Sequence, residues 1–128
     1  MSKILIIDDD PDIVEAMKTV LESKEYHVDV ARNGEEGLRQ VKVVNPDLII
    51  LDVMMETSDK GFEVARKIKM DKNYEDTPII MLTAIKDMTG LDFKKEAGDE
   101  MWLPVDDYCD KPLNPEQLIS KVELLLKK

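Results

Sequence analysis

Short apolar runs alternate with longer stretches in which apolar and polar positions recur at helical spacing. The runs Ile4–Ile7, Leu48–Leu51 and Ile79–Leu82 are apolar throughout, as expected of strands covered on both faces. Tyr26–Val30 and a weaker Asp107–Cys109 complete a set of five strand-like segments. After the first run, Ile13, Val14, Met17, Val20 and Leu21 fall at the spacing of one buried helix face. Asp10 is placed to cap that helix, and Pro11 suits its first position. Asn33 with Glu36 has the form of a capping box opening a second helix, which carries Leu38 and Val41 inward. Phe62, Ala65 and Ile68 mark a third helix. Leu91 and Phe93 mark a fourth, ended by Gly98. Asn114, Pro115 and Gln117 open a last helix, whose apolar stripe is Leu118, Ile119, Val122, Leu125 and Leu126.

Five strand–helix pairs in strict alternation predict an α/β fold, a parallel sheet with helices on both faces. In such folds ligands bind beyond the C-terminal ends of the strands, at the point where strand order reverses. There is no internal repeat, low-complexity tract or linker, and the longest irregular stretch is Asp99 to Asp106. A length of 128 residues suits a single domain, and an apolar content of 43% supports one core. The formal charge of -10, from 18 basic and 28 acidic residues, argues against a nucleic-acid backbone as partner. The single cysteine, Cys109, excludes an internal disulfide and fits a reducing compartment. No stretch reaches the roughly 20 apolar residues of a membrane span. Met1-Ser2-Lys3 leads straight into a strand-like run, so no signal peptide is expected. Together these features predict a soluble, cytoplasmic protein without membrane insertion.

The strand ends carry the candidate chemistry. Asp8-Asp9-Asp10 follows the first run, Asp52 closes the third, Thr83 follows the fourth, and Lys111 lies just past the fifth. If the first and third strands are neighbours, several carboxylates share one small site and need a cation or proton to offset their repulsion. Carboxylate oxygens favour a hard divalent ion, and Mg2+ takes a few carboxylates while keeping waters. A carboxylate can also act as a nucleophile and become an aspartyl phosphate. The metal, the Lys111 ammonium and the Thr83 hydroxyl would neutralise the transferred oxygens.

At these residues the chain resembles the receiver domain of two-component response regulators, over essentially its whole length. The segments that carry the resemblance are ILIIDDDPD, PDLIILDVMM, PIIMLTA and DDYCDKPL, in that order and each at a strand end. The resemblance implies a flavodoxin-like, doubly wound (βα)5 sandwich, with a five-stranded parallel sheet of order 2-1-3-4-5. It implies a single receiver domain over residues 1–128, with no output domain after Lys128. Asp52 would accept a phosphoryl group from a histidine kinase or histidine phosphotransfer protein. Asp8, Asp9, Asp52 and the backbone carbonyl of Met54 would hold Mg2+, Asp9 directly and Asp8 through water. Lys111 would pair with Asp52 and the phosphoryl oxygens. Thr83 would bond the added group and move toward it, and Tyr108 would rotate inward as its switch partner. The Lys111-Pro112 peptide would be cis. Output would pass through the face of the fourth helix, fifth strand and fifth helix to a downstream protein target, with a phosphorylation-dependent dimer a further option.

Two segments depart from the family pattern. Glu56 stands where many members have proline, and the following glycine, Gly61, comes one residue late, so the loop Glu56–Lys60 is longer and more polar. Glu100–Pro104, which includes Trp102, reads as an insertion beside the output face that reshapes partner recognition. Trp102 is either a partner anchor or the plug of its own loop. The bland reading of the acids is helix capping and solvated loops, which accounts for Asp10 better than for Asp8, Asp9 and Asp52. Tyr108 is alternatively a packed tyrosine without a switching role. His27 reads as structural, Cys109 as a small buried strand residue, and the eight methionines mostly as core filler. The rival enzyme class is a haloacid-dehalogenase-like phosphatase, since Asp8-Asp9-Asp10 offers its D-x-D spacing. It departs from that pattern at Asp12 and in placing Asp106-Asp107 before Lys111. A third class is a receiver-like interaction module that is never phosphorylated.

Overall fold

The computed structural model describes residues 2–52, 60–83, 107–110 and 114–126, with residues 60–62, 83 and 107–110 described by their backbone alone. Five parallel strands form one sheet: β1 (Lys3–Ile7), β2 (His27–Ala31), β3 (Leu48–Asp52), β4 (Ile79–Thr83) and β5 (Asp107–Asp110), in the order β2-β1-β3-β4-β5. The expected order is therefore the observed one. Three helices follow the first three strands, α1 (Pro11–Ser23), α2 (Gly34–Val44) and α3 (Lys60–Met70), and a C-terminal helix spans Pro115–Leu126. The expected fourth helix, with Leu91, Phe93 and Gly98, lies outside the described residues, as does the Glu100–Pro104 segment.

The continuous apolar runs follow from a sheet covered on both sides. Alternate side chains of a strand point to opposite faces. Ile4, Ile6, Leu48, Ile50, Ile80 and Leu82 accordingly pack against Met17 and Leu21 of α1 and against Leu118, Ile119, Val122 and Leu125 of the C-terminal helix. The intervening Leu5, Ile7, Ile49, Leu51, Ile79 and Met81 pack on the other face against Val41 of α2 and Val64, Ala65 and Ile68 of α3. Central β3 is buried at every position, which is why its sequence shows no alternation. The helix stripes are narrower than the sequence pattern predicts: Ile13, Val14, Val20, Leu38 and Leu126 are only partly buried at the cluster margins. Met17 and Met81 are core residues, but Met70 is 81% exposed at the end of α3 and fills no core.

Capping sets the helix starts. Asp10 accepts hydrogen bonds from the backbone N–H groups of Asp12 and Ile13. Asn33 accepts one from Glu36 N–H at 2.8 Å, and Asn114 one from Gln117 N–H at 3.1 Å. Two boundaries differ from expectation. Tyr26 precedes β2 because its N–H turns back to the Leu21 carbonyl at the end of α1, so the strand begins at His27 and runs on to Ala31. Lys60 is the first residue of α3, not the last of the preceding loop. At the start of β2, His27 Nε2 lies 3.1 Å from Asp29 on the exposed side of this edge strand.

Candidate functional site

The sheet order reverses between β1 and β3: the chain steps from β1 out to β2, then returns to the other side of β1. In open α/β sheets this is where a crevice opens beyond the strand ends. The β1–β3 register pairs Ile7 with Leu51, so the next residue on each strand, Asp8 and Asp52, stands beside the other. Both are almost completely buried, at 1% and 2% exposure. Asp8 is held at the end of β1 because its N–H continues the ladder to the Ala31 carbonyl of β2 at 3.0 Å. Asp9 is the next residue along and is exposed.

One carboxylate oxygen from each of Asp8, Asp9 and Asp52 lies within 4.8 Å of the other two. The third member of the acidic trio has a different task. Asp10 Oδ1 accepts from the N–H groups of Asp12 at 3.0 Å and Ile13 at 3.4 Å, capping α1. The N–H of Asp10 in turn donates to Asp8 Oδ1 at 2.9 Å. Four identical side chains are thus sorted by backbone position into three that converge and one that caps.

The donor set fits a small hard cation. Mg2+ binds oxygen at about 2.1 Å in octahedral geometry, which separates neighbouring ligand oxygens by ~3.0 Å and opposite ones by ~4.2 Å. Three oxygens gathered within 4.8 Å match that span with modest side-chain adjustment. The set contains neither nitrogen nor sulfur, as suits Mg2+ rather than a softer transition metal. Without a cation, three carboxylates at this spacing repel one another, two of them away from bulk water.

Thr83 is the last residue of β4. It pairs in register with Asp110 of β5, one step beyond the pair of Asp52 with Leu82. The backbone at Thr83 therefore ends on the same edge of the sheet as Asp52. Tyr108 lies in β5, opposite Met81. The side chains of Thr83, Tyr108 and Cys109, and the whole of Met54, Glu56, Trp102, Lys111 and Pro112, lie outside the described residues. Sequence reading missed two contributors to this edge. One is the Asp10 N–H, which no side-chain pattern reveals. The other is Gly37 of α2, where an added Cβ would stand 2.6 Å from Ile7 Cδ1, against the residue that precedes Asp8.

Comparison with known proteins bears on the same residues. The response regulator receiver domain family model matches residues 4–123. The chain is 39% identical over 127 residues to the transcriptional regulatory protein ResD of Bacillus subtilis (strain 168), covering 99% of this chain and 49% of that protein. It is 40% identical over 126 residues to the alkaline phosphatase synthesis transcriptional regulatory protein PhoP of the same organism, covering 98% of this chain and 49% of that protein. The chain thus spans about half the length of these regulators. Among solved structures, the chemotaxis protein CheY4 of Vibrio cholerae superposes with a TM-score of 0.84 at 32% identity, covering 98% of this chain and 99% of that one. A two-component response regulator from Clostridium difficile gives 0.82 at 32% identity, covering 100% and 98%.

Proposed function

The chain belongs to the response regulator receiver domain family, and from that premise we propose that it is a phosphorylation-activated switch whose phosphoacceptor is Asp52. The observation that carries this reading is the convergence of Asp8, Asp9 and Asp52 carboxylate oxygens within 4.8 Å at the reversal point of the sheet. Asp52 differs from the other two in closing the central strand, where the residues before it are fully buried. Its backbone pairs with Leu82 of β4, and the preceding Leu51 is paired on both sides, with Ile7 and Met81, which suits a nucleophile that must meet phosphorus at a defined angle.

In the proposed step an Asp52 carboxylate oxygen attacks the phosphorus of a phosphohistidine on a histidine kinase or histidine phosphotransfer protein. A P–O bond forms, the P–N bond breaks, and the imidazole nitrogen leaves with the electron pair and takes up a proton. Asp8, Asp9 and Asp52, with the Met54 carbonyl, would hold Mg2+. The ion supplies charge neutralisation for the phosphoryl oxygens. The family resemblance gives Lys111 the role of a second positive charge on those oxygens. It gives Thr83 the role of donating a hydrogen bond to the added group, and Tyr108 that of following Thr83 inward. Phosphorylation adds roughly one to two negative charges and strong acceptor oxygens, enough to shift a two-state packing at the strand ends.

We read residues 1–128 as one receiver unit that signals through the face of its fourth helix, fifth strand and last helix to a protein target, in the cytoplasm. None of the described helices is long and apolar enough to cross a membrane. Its covalent chemistry would be limited to taking a phosphoryl group and losing it to water. The phosphatase alternative relies on the D-x-D spacing of Asp8 and Asp10, and it is weakened by the engagement of Asp10 Oδ1 with the amides of α1.

Incubation with acetyl phosphate or phosphoramidate and Mg2+, followed by intact-mass measurement, tests the assignment. One added phosphoryl group that disappears in Asp52→Asn is the expected result. Absence of any addition would favour an unphosphorylated interaction module. Sustained turnover of a generic phosphomonoester would favour the phosphatase.

A further inference from the structure

We propose that Asp10 is a positioning residue for the cation site, acting through the N-terminus of α1 rather than as a ligand. The inference rests on the reading of Asp8, Asp9 and Asp52 as a Mg2+ site. Asp10 takes part in two linked sets of hydrogen bonds. Its side chain accepts from the N–H groups of Asp12 and Ile13, which fixes the first turn of α1. Its own N–H donates to Asp8 Oδ1 at 2.9 Å. The cap therefore determines where that N–H points, and the N–H determines the rotation of a carboxylate that is 1% exposed. One oxygen of Asp8 is committed to the amide, and the group is turned in a set direction relative to Asp9 and Asp52.

The geometry around Asp10 supports this linkage. Its backbone is extended, with φ -91 and ψ 107, as a capping residue requires. The Asp10 carbonyl accepts the Val14 N–H at 3.0 Å and opens the helical ladder. Pro11 follows at the first helical position, where its fixed φ limits the freedom of the turn. The loop between β1 and α1 is thus only Asp8, Asp9 and Asp10, with one end tied to the sheet and the other to the helix. Met17 and Leu21 dock α1 into the core, so the helix start has little freedom to drift. Loss of the cap would release the Asp10 N–H and, with it, the orientation of the Asp8 carboxylate.

Outer groups that orient ligands typically change metal affinity by about 10- to 100-fold when removed, so Asp10→Ala is expected to raise the Mg2+ dissociation constant by roughly tenfold. Asp10→Asn and Asp10→Ser retain an oxygen that can cap, and both are expected to bind Mg2+ as the wild type does. Ala16→Gly, an exposed change in α1, lowers helix stability without touching the cap and is expected to leave the constant unchanged. The measurement is calorimetric titration of each folded protein with MgCl2, paired with a urea midpoint for each variant. Equal weakening in Asp10→Ala and Asp10→Asn would assign the effect to lost charge and overturn the proposal. Equal weakening in Asp10→Ala and Ala16→Gly would assign it to general loss of α1, and an unaltered constant in Asp10→Ala would also overturn it. Failure of the wild type to bind Mg2+ would instead remove the cation-site reading on which the proposal stands.

Discussion

Replacing Gly37 with alanine tests how closely α2 must approach the strand that delivers Asp8. On helix propensity alone, Gly37→Ala gains about 0.8–1.0 kcal/mol. The structure opposes that gain. A Cβ at position 37 would lie 2.6 Å from Ile7 Cδ1 and 3.0 Å from both Cγ1 and Cγ2 of the same side chain. Carbon atoms pack best at about 3.5–4.0 Å, so all three contacts are compressed. Ile7 is fully buried and cannot swing into solvent. Overpacking of this kind costs ~1–3 kcal/mol, and the expected net effect is destabilisation by about 1 kcal/mol. Ile7→Val removes the nearest atom, Cδ1, at a cost of about 0.5–1.5 kcal/mol. In that background the 2.6 Å contact is gone and only the 3.0 Å contacts to Cγ1 and Cγ2 remain, so Gly37→Ala should lose most of its cost and become close to neutral. The double-mutant cycle should therefore show a favourable coupling of ~1–2 kcal/mol, well outside the ~0.3–0.5 kcal/mol scatter of independent sites. Urea unfolding followed by far-UV circular dichroism measures all four proteins. Additive single effects, or a stabilising Gly37→Ala in the wild-type background, would refute the steric argument.

Three further outcomes are expected. Mg2+ should raise the urea midpoint of the wild type, by about 2.7 kcal/mol in unfolding free energy at one hundred times its dissociation constant. Asp8→Asn should flatten that response while keeping an oxygen for the Asp10 N–H, and a midpoint indifferent to Mg2+ in the wild type would contradict the cation site. Tyr26 has its pKa raised above 10.0, first by burial and then by the negative charge of Glu123. The folded state holds this proton more tightly than the unfolded chain, so its contribution is intact below pH 10 and lost as pH climbs through the folded value. Tyr26→Phe should lessen the alkaline fall in stability, read from urea midpoints at rising pH, and an unchanged slope would count against it. Glu25 sits in the left-handed region with φ 69, which costs a side-chain-bearing residue ~1–2 kcal/mol against an entropy loss of ~0.5–1 kcal/mol for glycine. Glu25→Gly should thus gain about 0.5–1 kcal/mol in urea unfolding, and a loss would show that the turn relies on the glutamate itself.

The strands and caps were legible because each depends on local chemistry. An apolar run with no alternation implies cover on both faces, and Leu48–Leu51 is buried on both faces. An Asn or Asp before a periodic stretch implies a cap, and Asp10, Asn33 and Asn114 all cap. The convergence of Asp8 with Asp52 followed from two apolar runs ending in acids, provided that β1 and β3 are neighbours, which the sheet order supplies. What escaped was set by non-local approach or by backbone direction. Tyr26 reads as strand on its aromatic character, but a turn brings its N–H to the Leu21 carbonyl instead. Gly37 carries no signal in the apolar pattern of α2, and only the proximity of Ile7 gives it a purpose. Tyr74 carries no signal for its hydrogen bond to Asn45 at 2.9 Å, which ties the segment after α3 to the end of α2.

The acidic trio marks that boundary most sharply. Asp8, Asp9 and Asp10 are chemically identical, and only the place of Asp10 before a periodic stretch marks it in the sequence as the cap. The backbone shows how the other two differ. Asp8 continues the β1 ladder through the Ala31 carbonyl and is buried with Asp52. Asp9, one residue on, is exposed yet brings an oxygen to the same cluster. Asp10 has turned far enough to face the free amides of α1. A strand that ends and a helix that begins within three residues must reverse the environment of each successive side chain. Placing acids at all three positions lets one short turn bring two carboxylates to Asp52 and cap the helix that follows.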